Sequence, residues 1–176
     1  MRQAAERGRW LHALFQRLPD LPAERRREGA GRWLEQQGAG DATLRRDVID
    51  HALRVIEDPH FAALFAPGAL AEAPIAAVVG EAVIAGTVDR LRVEADRVQL
   101  VDFKTGRMTP RDAEEVPVAH VRQMAAYVAA LEVIFPGRTV EAALLYTSAG
   151  RLIALPTAQL APYKPGFSPT QQYLLL

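Results

Sequence analysis

The 176-residue sequence contains no cysteine, and this absence excludes several kinds of site. A chain without cysteine forms no disulfide, no zinc–thiolate centre and no cysteine-ligated iron–sulfur cluster. The apolar residues make up 49% of the chain but are dispersed, so that no run approaches the ~20 apolar residues of a membrane-spanning helix. We therefore expect a cytoplasmic protein without a membrane partner and without an iron–sulfur cluster.

The sequence also has no net charge and very few lysines. The 21 basic and 21 acidic residues cancel, whereas a dedicated nucleic-acid coat protein is usually strongly basic. Any contact with DNA must then be local, and we expect the isolated chain to bind DNA weakly, with little salt-driven binding. The cations are nearly all arginine, and the two lysines are Lys104 and Lys164. Since the chain uses arginine almost everywhere else, a lysine two residues after Asp102 indicates that a compact, mobile ammonium group is needed at that position.

Hydrophobic periodicity predicts helices in the first part of the chain and strands after it. The predicted helices cover residues 9–18, 24–37, 41–57 (capped by Asp41 or Thr43) and 119–135, and the predicted strands cover 71–79, 81–94, 97–103, 140–147 and 151–155. This order is typical of an α/β or α+β sandwich, in which a mixed sheet is flanked by helices. We divide the chain into an N-terminal helical part (1–69), a core (70–158) and a C-terminal tail (159–176).

The strand over residues 97–103 ends in Asp102-Phe103 and is followed by Lys104, so the acid and the lysine, two residues apart, point to the same face. Ala95 and Asp96 have the length of a tight hairpin turn to the preceding strand. This turn predicts four opposed pairs, which are Val93 with Val98, Leu91 with Leu100, Asp89 with Asp102, and Thr87 with Lys104. Two opposed carboxylates repel each other, so the register predicts a divalent cation between Asp89 and Asp102.

Such a site suits the hydrolysis of a phosphodiester, for which carboxylate-bound Mg²⁺ supplies an activated water and stabilises charge. Asp89 and Asp102 are then the metal ligands, and the backbone carbonyl of Phe103 is a natural further ligand. Lys104 would orient or activate the water and stabilise the developing charge. Mn²⁺ is a suitable substitute for Mg²⁺. The site chemistry alone leaves open a metal hydrolase that acts on something other than nucleic acid.

Asp89 followed by Asp102-Phe103-Lys104 resembles the signature of the PD-(D/E)xK nucleases. The wider motifs resemble the RecB/AddA-type exonuclease branch; they are Gly86-x-x-Asp89-Arg90, Val101-Asp102-Phe103-Lys104-Thr105-Gly106, Gln123-x-x-x-Tyr127 and, near the start, Arg7-Gly8-Arg9-Trp10-Leu11-His12. The likeness covers most of the chain and is greatest to the C-terminal nuclease domain of AddA helicase–nucleases. The sequence looks like an excised domain, because the helicase loop Gly-x-x-x-x-Gly-Lys-Ser/Thr is absent.

The resemblance implies a restriction-endonuclease-like α/β core and a Mg²⁺-dependent exodeoxyribonuclease that acts in double-strand-break repair and recombination. It implies that His12 ligates the metal. Gln123 and Tyr127 share a helix face, and the resemblance makes them supports for Lys104 or for the DNA backbone. Glu72 is either an outer-shell acid or a solvated charge. The implied partners are DNA, a helicase region of the same polypeptide and a second, AddB-like subunit.

The alternative is a catalytically silent nuclease-like module that binds DNA or a partner subunit without cutting. A degenerate copy usually loses one member of the acid–acid–lysine set. Asp89, Asp102 and Lys104 are all present, which favours the active enzyme.

Overall fold

The structure of the protein is a computed structural model that describes residues 2–165. Three helices come first, and they are α1 (Arg2–Arg17), α2 (Ala23–Gln36) and α3 (Ala42–Ile56). After a short 3₁₀ turn, the chain forms the strands β1 (Ala69–Val79), β2 (Ala82–Val93) and β3 (Arg97–Lys104). The remaining elements are α4 (Val118–Ile134), β4 (Thr139–Tyr146), β5 (Arg151–Leu155) and the single turn α5 (Thr157–Leu160).

Local sequence signals set the ends of the N-terminal helices. The side-chain carboxylate of Asp41 accepts hydrogen bonds from the amides of Thr43 (2.8 Å) and Leu44 (3.1 Å), so Asp41 is the cap of α3. Helix α1 begins at Arg2 rather than at the predicted residue 9. Its first turns include Ala4 and Ala5, which are exposed. Alanine has the highest intrinsic helix propensity, so a helix extends there without the apolar periodicity on which the prediction relied.

The five strands form one sheet in the order β1-β2-β3-β4-β5. Strands β3 and β4 pair in parallel, and the other three pairs are antiparallel. Helix α4 connects the parallel pair, which requires a crossover connection. The predicted fold class is confirmed, since a mixed sheet is flanked by helices and preceded by a helical segment, as expected of a restriction-endonuclease-like core.

The hairpin of β2 and β3 has the predicted turn but a shorter ladder. Val93 pairs with Val98 and Leu91 with Leu100, as predicted, and the backbone ladder extends only to Arg90 and Val101. The predicted pairing of Asp89 with Asp102 is therefore wrong as a ladder pair, although the two residues are next in register. The expected pairing of Thr87 with Lys104 is also wrong, because it lies beyond the end of this ladder; the ladder partner of Thr87 is Pro74 of β1.

The physical reason is that the inside–outside alternation of β2 is interrupted at Asp89 and Arg90. Val88 and Leu91 are three residues apart, yet both are buried in the core on the α4 side of the sheet. Asp89 and Arg90 are consecutive, yet both side chains bond to α1, the first to His12 and the second to the carbonyl of Phe15. A regular strand would send them to opposite faces. The interruption brings the Asp89 carboxylate towards the N-terminal helices.

Two hydrophobic cores lie on opposite faces of the sheet. The core on one face joins α4 to the sheet and includes Val98, Leu100 and Met124. The core on the other face joins α1–α3 to the sheet and includes Phe15 and Phe103. Strand β3 contributes to both because its side chains alternate, so the end of β3 lies between the two helical layers.

The C-terminal part of the description contains α5 and one further 3₁₀ turn, Ala161–Tyr163. Leu160 is buried in the core on the α4 side, so the predicted tail, residues 159–176, is packed on the body of the protein at its start. The rest of that predicted tail, from residue 166, lies outside the described residues. Within residues 2–165, no helix combines the length and the apolar character needed to span a membrane.

Candidate active site

The polar end of β3 is the centre of the candidate site. Val98 and Leu100 lie in the core on the α4 side. Asp102 and Lys104 continue the same alternation to the end of the strand, where the apolar contacts with α4 give way to polar ones. The Asp102 side chain is 8% exposed and that of Lys104 is 16% exposed, so the pair is largely withdrawn from water.

Asp102, Lys104 and Gln123 form a closed set of three contacts. The Lys104 ammonium lies 2.7 Å from Asp102 Oδ2. It donates a hydrogen bond of 2.9 Å to Gln123 Oε1, and Gln123 Nε2 donates one of 3.2 Å to Asp102 Oδ1. Gln123 comes from α4, so the helix holds both ends of the Asp102–Lys104 pair. The sequence prediction placed Gln123 near Lys104, and the structure brings the two together.

A second set of side chains lies where α1, β1 and β2 meet. His12, Glu72 and Asp89 each offer one ligand atom, and these atoms lie within 4.8 Å of one another. His12 Nδ1 is 3.0 Å from Asp89 Oδ1, while Asp89 Oδ2 accepts a hydrogen bond of 2.6 Å from the Phe103 amide. That bond replaces the ladder contact that β2 lacks at this point, and it fixes the carboxylate beside β3.

Glu72 belongs to this second set because of an unusual backbone conformation. Its φ is +49°, and it is the sole residue other than glycine with a positive φ in the part of the chain that the structure describes. A left-handed conformation of this kind costs ~1 kcal/mol or more for a residue with a Cβ, and such strain is often found at functional sites. Glu72 lies opposite Asp89 in the β1–β2 register, between the ladder pairs Ala71–Arg90 and Ala73–Val88.

The crowding of carboxylates shifts the acid–base behaviour of the site. Burial and the charge of Asp89 raise the pKa of both Glu72 and Asp102. Burial lowers the pKa of His12, but the hydrogen bond to Asp89 and the Asp89 charge outweigh burial, so the pKa of His12 is raised. All three shifts favour the binding of positive charge, which would relieve the repulsion among the carboxylates.

The donor set fits a hard divalent cation. Carboxylate oxygens are the ligands that Mg²⁺ and Mn²⁺ prefer, and an imidazole nitrogen is acceptable, more so to Mn²⁺. His12, Glu72 and Asp89 could hold such an ion. Within residues 2–165, Asp102 does not join this cluster, and its two oxygens contact Lys104 and Gln123 instead. Glu72 thus lies beside His12 and Asp89 as a candidate direct ligand of the metal, whereas the sequence predicted either an outer-shell acid or a solvated charge.

Phe103 and Tyr127 occupy structural positions next to these sets. The Phe103 ring packs edge-on against Phe15, with ring centroids 5.0 Å apart, while its amide bonds to Asp89. Its carbonyl as a metal ligand stays a prediction. The Tyr127 ring lies over Gly86 of β2, where a Cβ would come within 2.6 Å of the Tyr127 hydroxyl. A contact of Tyr127 with DNA also stays a prediction.

A group of basic side chains beside the site was not predicted. Arg7 Nη2 lies 2.8 Å from His51 Nδ1, which joins α1 to α3. Burial and the nearby charges of Arg107 and Arg54 lower the pKa of Arg7. Burial, Arg7 and Arg54 lower the pKa of His51 to about 4. His51 and Arg54 are three residues apart on one helix, which was the available sequence signal, but nothing in the sequence connected them to Arg7.

Comparison with known proteins gives one finding. The family model described as the PD-(D/E)XK nuclease superfamily matches residues 1–167. No curated protein matches the chain.

Proposed function

The chain belongs to the PD-(D/E)XK nuclease superfamily, and from this premise we propose that it hydrolyses phosphodiester bonds of DNA with the help of a divalent cation. The observation that supports this proposal is the position of Lys104. The ammonium group is held by Asp102 and Gln123 at the end of β3, and Asp89, through the Phe103 amide, connects this end to the His12 cluster.

Mg²⁺ is the proposed cation, with Mn²⁺ as a substitute. His12, Glu72 and Asp89 would hold it, together with Asp102 when its contact with Lys104 is rearranged. A cation in this position supplies Lewis-acid stabilisation of phosphoryl charge and lowers the pKa of water.

The residues around Lys104 have separable roles in this proposal. A lysine ammonium has three N–H donors, and Asp102 and Gln123 accept two of them. The third donor is available to an attacking water or to a phosphate oxygen, where it would stabilise charge as it develops. Gln123 is a positioning residue, since it fixes the direction of the ammonium group from α4. Asp102 holds the Lys104 ammonium in place through their 2.7 Å ion pair.

The arginine group offers a local contact for a phosphate backbone despite the absence of net charge. Arg107 follows Lys104 by three residues in an exposed loop, and its charge acts on Arg7 of α1. Gly8, next to Arg7, packs on this loop, because a Cβ at Gly8 would lie 3.0 Å from Thr105 Oγ1. Arg7, Arg54 and Arg107 therefore favour phosphate on the α1 side of the site.

The finer assignment follows the sequence motifs. We propose that the chain is a RecB/AddA-type exonuclease domain of a helicase–nuclease that processes double-strand breaks. In this proposal the helicase region of the same polypeptide delivers the DNA, and an AddB-like subunit is the further partner. Gly86-x-x-Asp89-Arg90 and Gln123-x-x-x-Tyr127 support this branch.

The two lysines of the chain allow a matched experiment. Lys164 is ion-paired with Glu132 at 2.6 Å and is 20% exposed, close to the 16% of Lys104. We expect Lys104→Ala to lower the rate of Mg²⁺-dependent cleavage of a labelled oligodeoxynucleotide ~100-fold or more, whereas Lys164→Ala leaves it within about twofold. Equal rates for the wild type and Lys104→Ala would refute the proposed function.

Metal binding separates the enzyme from the silent module. We expect Mn²⁺, followed by calorimetry or electron paramagnetic resonance, to bind the wild type and to bind Glu72→Gln or Asp89→Asn at least ~10-fold more weakly. A wild type that binds DNA but neither binds Mn²⁺ nor cleaves would support the silent module instead.

A further inference from the structure

A cleft of about 660 Å³ opens beside Lys104. Thr105 lines both this cleft and a second depression, which is lined by His12 and Glu72. Lys104 itself lines the cleft, so anything bound there would lie next to the bond that the proposed enzyme cleaves. Apart from Lys104 and Arg107, the residues that line the cleft have no role in the steps described above, and its volume lies in the ~300–1,000 Å³ range of small-molecule sites.

The walls of the cleft are mostly flat and apolar. Met108, Pro110 and Pro117 contribute apolar surface, and His120 and Tyr146 contribute two rings. His120 Nδ1 lies 3.2 Å from the Tyr146 hydroxyl, which fixes the imidazole against β4. Burial and the charge of Lys104 lower the pKa of His120, so the imidazole is neutral near neutral pH. A neutral ring presents an aromatic face rather than a further cation beside Lys104 and Arg107.

The apolar part of these walls suits a base rather than a phosphate. Lys104 and Arg107 also line the cleft and can hold the neighbouring phosphates, but the rest of the wall, from Met108 to Tyr146, is mostly apolar and offers little charge to a phosphate. A nucleobase has two apolar π-faces and a polar edge, and it stacks on aromatic rings and other flat side chains in proteins that bind single strands. Glu115 and Arg107 at the cleft provide polar atoms that could face such an edge.

We propose that this cleft binds a nucleobase of the nucleotide adjacent to the scissile phosphate, stacked against His120. The proposal rests on the proposed function and adds to it a substrate class. A base can enter the cleft only when it is unpaired, because extrusion from a duplex costs a few kcal/mol. The preferred substrate is therefore a single strand or a frayed end, and the intact duplex is disfavoured.

The experiment compares two strands that differ only in their bases. One is a labelled 15-mer of thymidylate, and the other has the same phosphates but tetrahydrofuran abasic residues throughout. We expect the wild type to cleave the thymidylate strand about tenfold more efficiently in kcat/KM, which corresponds to about 1.4 kcal/mol of stacking. Equal efficiency on both strands would overturn the proposal.

Variants of α4 assign the effect to the cleft. We expect His120→Ala to reduce the preference for the thymidylate strand to about twofold, whereas His120→Phe retains a flat ring and most of the preference. Val133→Ala is the control on the same helix, since Val133 is 51% exposed and does not line the cleft. A His120→Ala variant that slows both strands by the same factor would show a structural role only and would contradict the proposal.

Fluorescence anisotropy without added metal makes the inference independent of cleavage. We expect the thymidylate strand to bind the wild type more tightly than the abasic strand, and His120→Ala to remove most of the difference. If neither strand is cleaved but this difference is seen, the proposed hydrolysis fails while the base site stands. If cleavage occurs and neither measurement distinguishes the strands, the base site fails while the nuclease stands.

Discussion

Gly86 provides a quantitative test of how β2 is packed against α4. An ideal Cβ at this position would lie 2.6 Å from the hydroxyl oxygen of Tyr127 and 2.7 and 2.9 Å from two of its ring carbons. Ordinary contacts of this kind are ~3.4–4.0 Å, so Gly86→Ala would force the Tyr127 ring to move by roughly 1 Å. The Tyr127 side chain packs against the core on the α4 side, which limits that movement.

Two opposing contributions set the expected magnitude. Overpacking of this kind costs about 1–3 kcal/mol. The loss of glycine restricts the unfolded chain and returns about 0.4–1 kcal/mol, since φ at Gly86 is not in the positive region that disfavours alanine. We therefore expect Gly86→Ala to lower the free energy of unfolding by about 1–2 kcal/mol.

Urea unfolding followed by circular dichroism measures this change, and a second background isolates its cause. In Tyr127→Ala protein the obstructing ring is gone, so we expect Gly86→Ala to become neutral or to stabilise by up to about 1 kcal/mol. Gly31→Ala on α2 is the control, because a Cβ at Gly31 meets nothing within 4 Å and alanine in a helix is favoured by about 1 kcal/mol. The same effect of Gly86→Ala in both backgrounds would refute the reasoning.

Two further predictions concern the basic group beside the site. The pKa of His51 is about 4 in the folded protein, against 6.5 for an unperturbed histidine. His51 therefore binds a proton more readily when the chain is unfolded. The stabilisation of the folded state by neutral His51, up to about 3 kcal/mol, is present above pH 6.5 and is lost as the pH falls towards 4. Urea unfolding across this range should show a smaller loss for His51→Gln than for the wild type, and an equal loss would contradict the assignment. We also expect Arg107→Gln to weaken DNA binding and to reduce the slope of log K against log [salt] by ~1, whereas Arg32→Gln, an exposed position on α2, leaves the slope unchanged.

The sequence predicted the parts of the fold that depend on local signals. The alternation of β3, the tight turn at Ala95 and Asp96, and the helix predicted over residues 119–135 follow from residue spacing alone. The family resemblance predicted that Gln123 supports Lys104 or the DNA backbone, and the Gln123 side chain contacts Lys104 at the end of β3. These features could be predicted because each is encoded within a short stretch or within one motif.

The features that were missed depend on departures from regular geometry. A strand of period two predicts that Asp89 and Arg90 point to opposite faces, yet both contact α1. The positive φ of Glu72 has no signal in its residue type, since this conformation is usual only for glycine and asparagine. The contact between Arg7 and His51 joins residues 44 apart in the chain, so only the packing of α1 on α3 reveals it.

The division of the candidate site between two helical layers has a consequence for its durability. His12 comes from α1 and Gln123 from α4, and these helices pack on opposite faces of the sheet. Partial opening of a protein often releases one layer while the rest persists. Detachment of α1 would remove the imidazole but leave the Asp102–Lys104–Gln123 contacts intact. The complete site would thus exist only while both layers are docked, and it would be lost at the lower of the two local opening free energies.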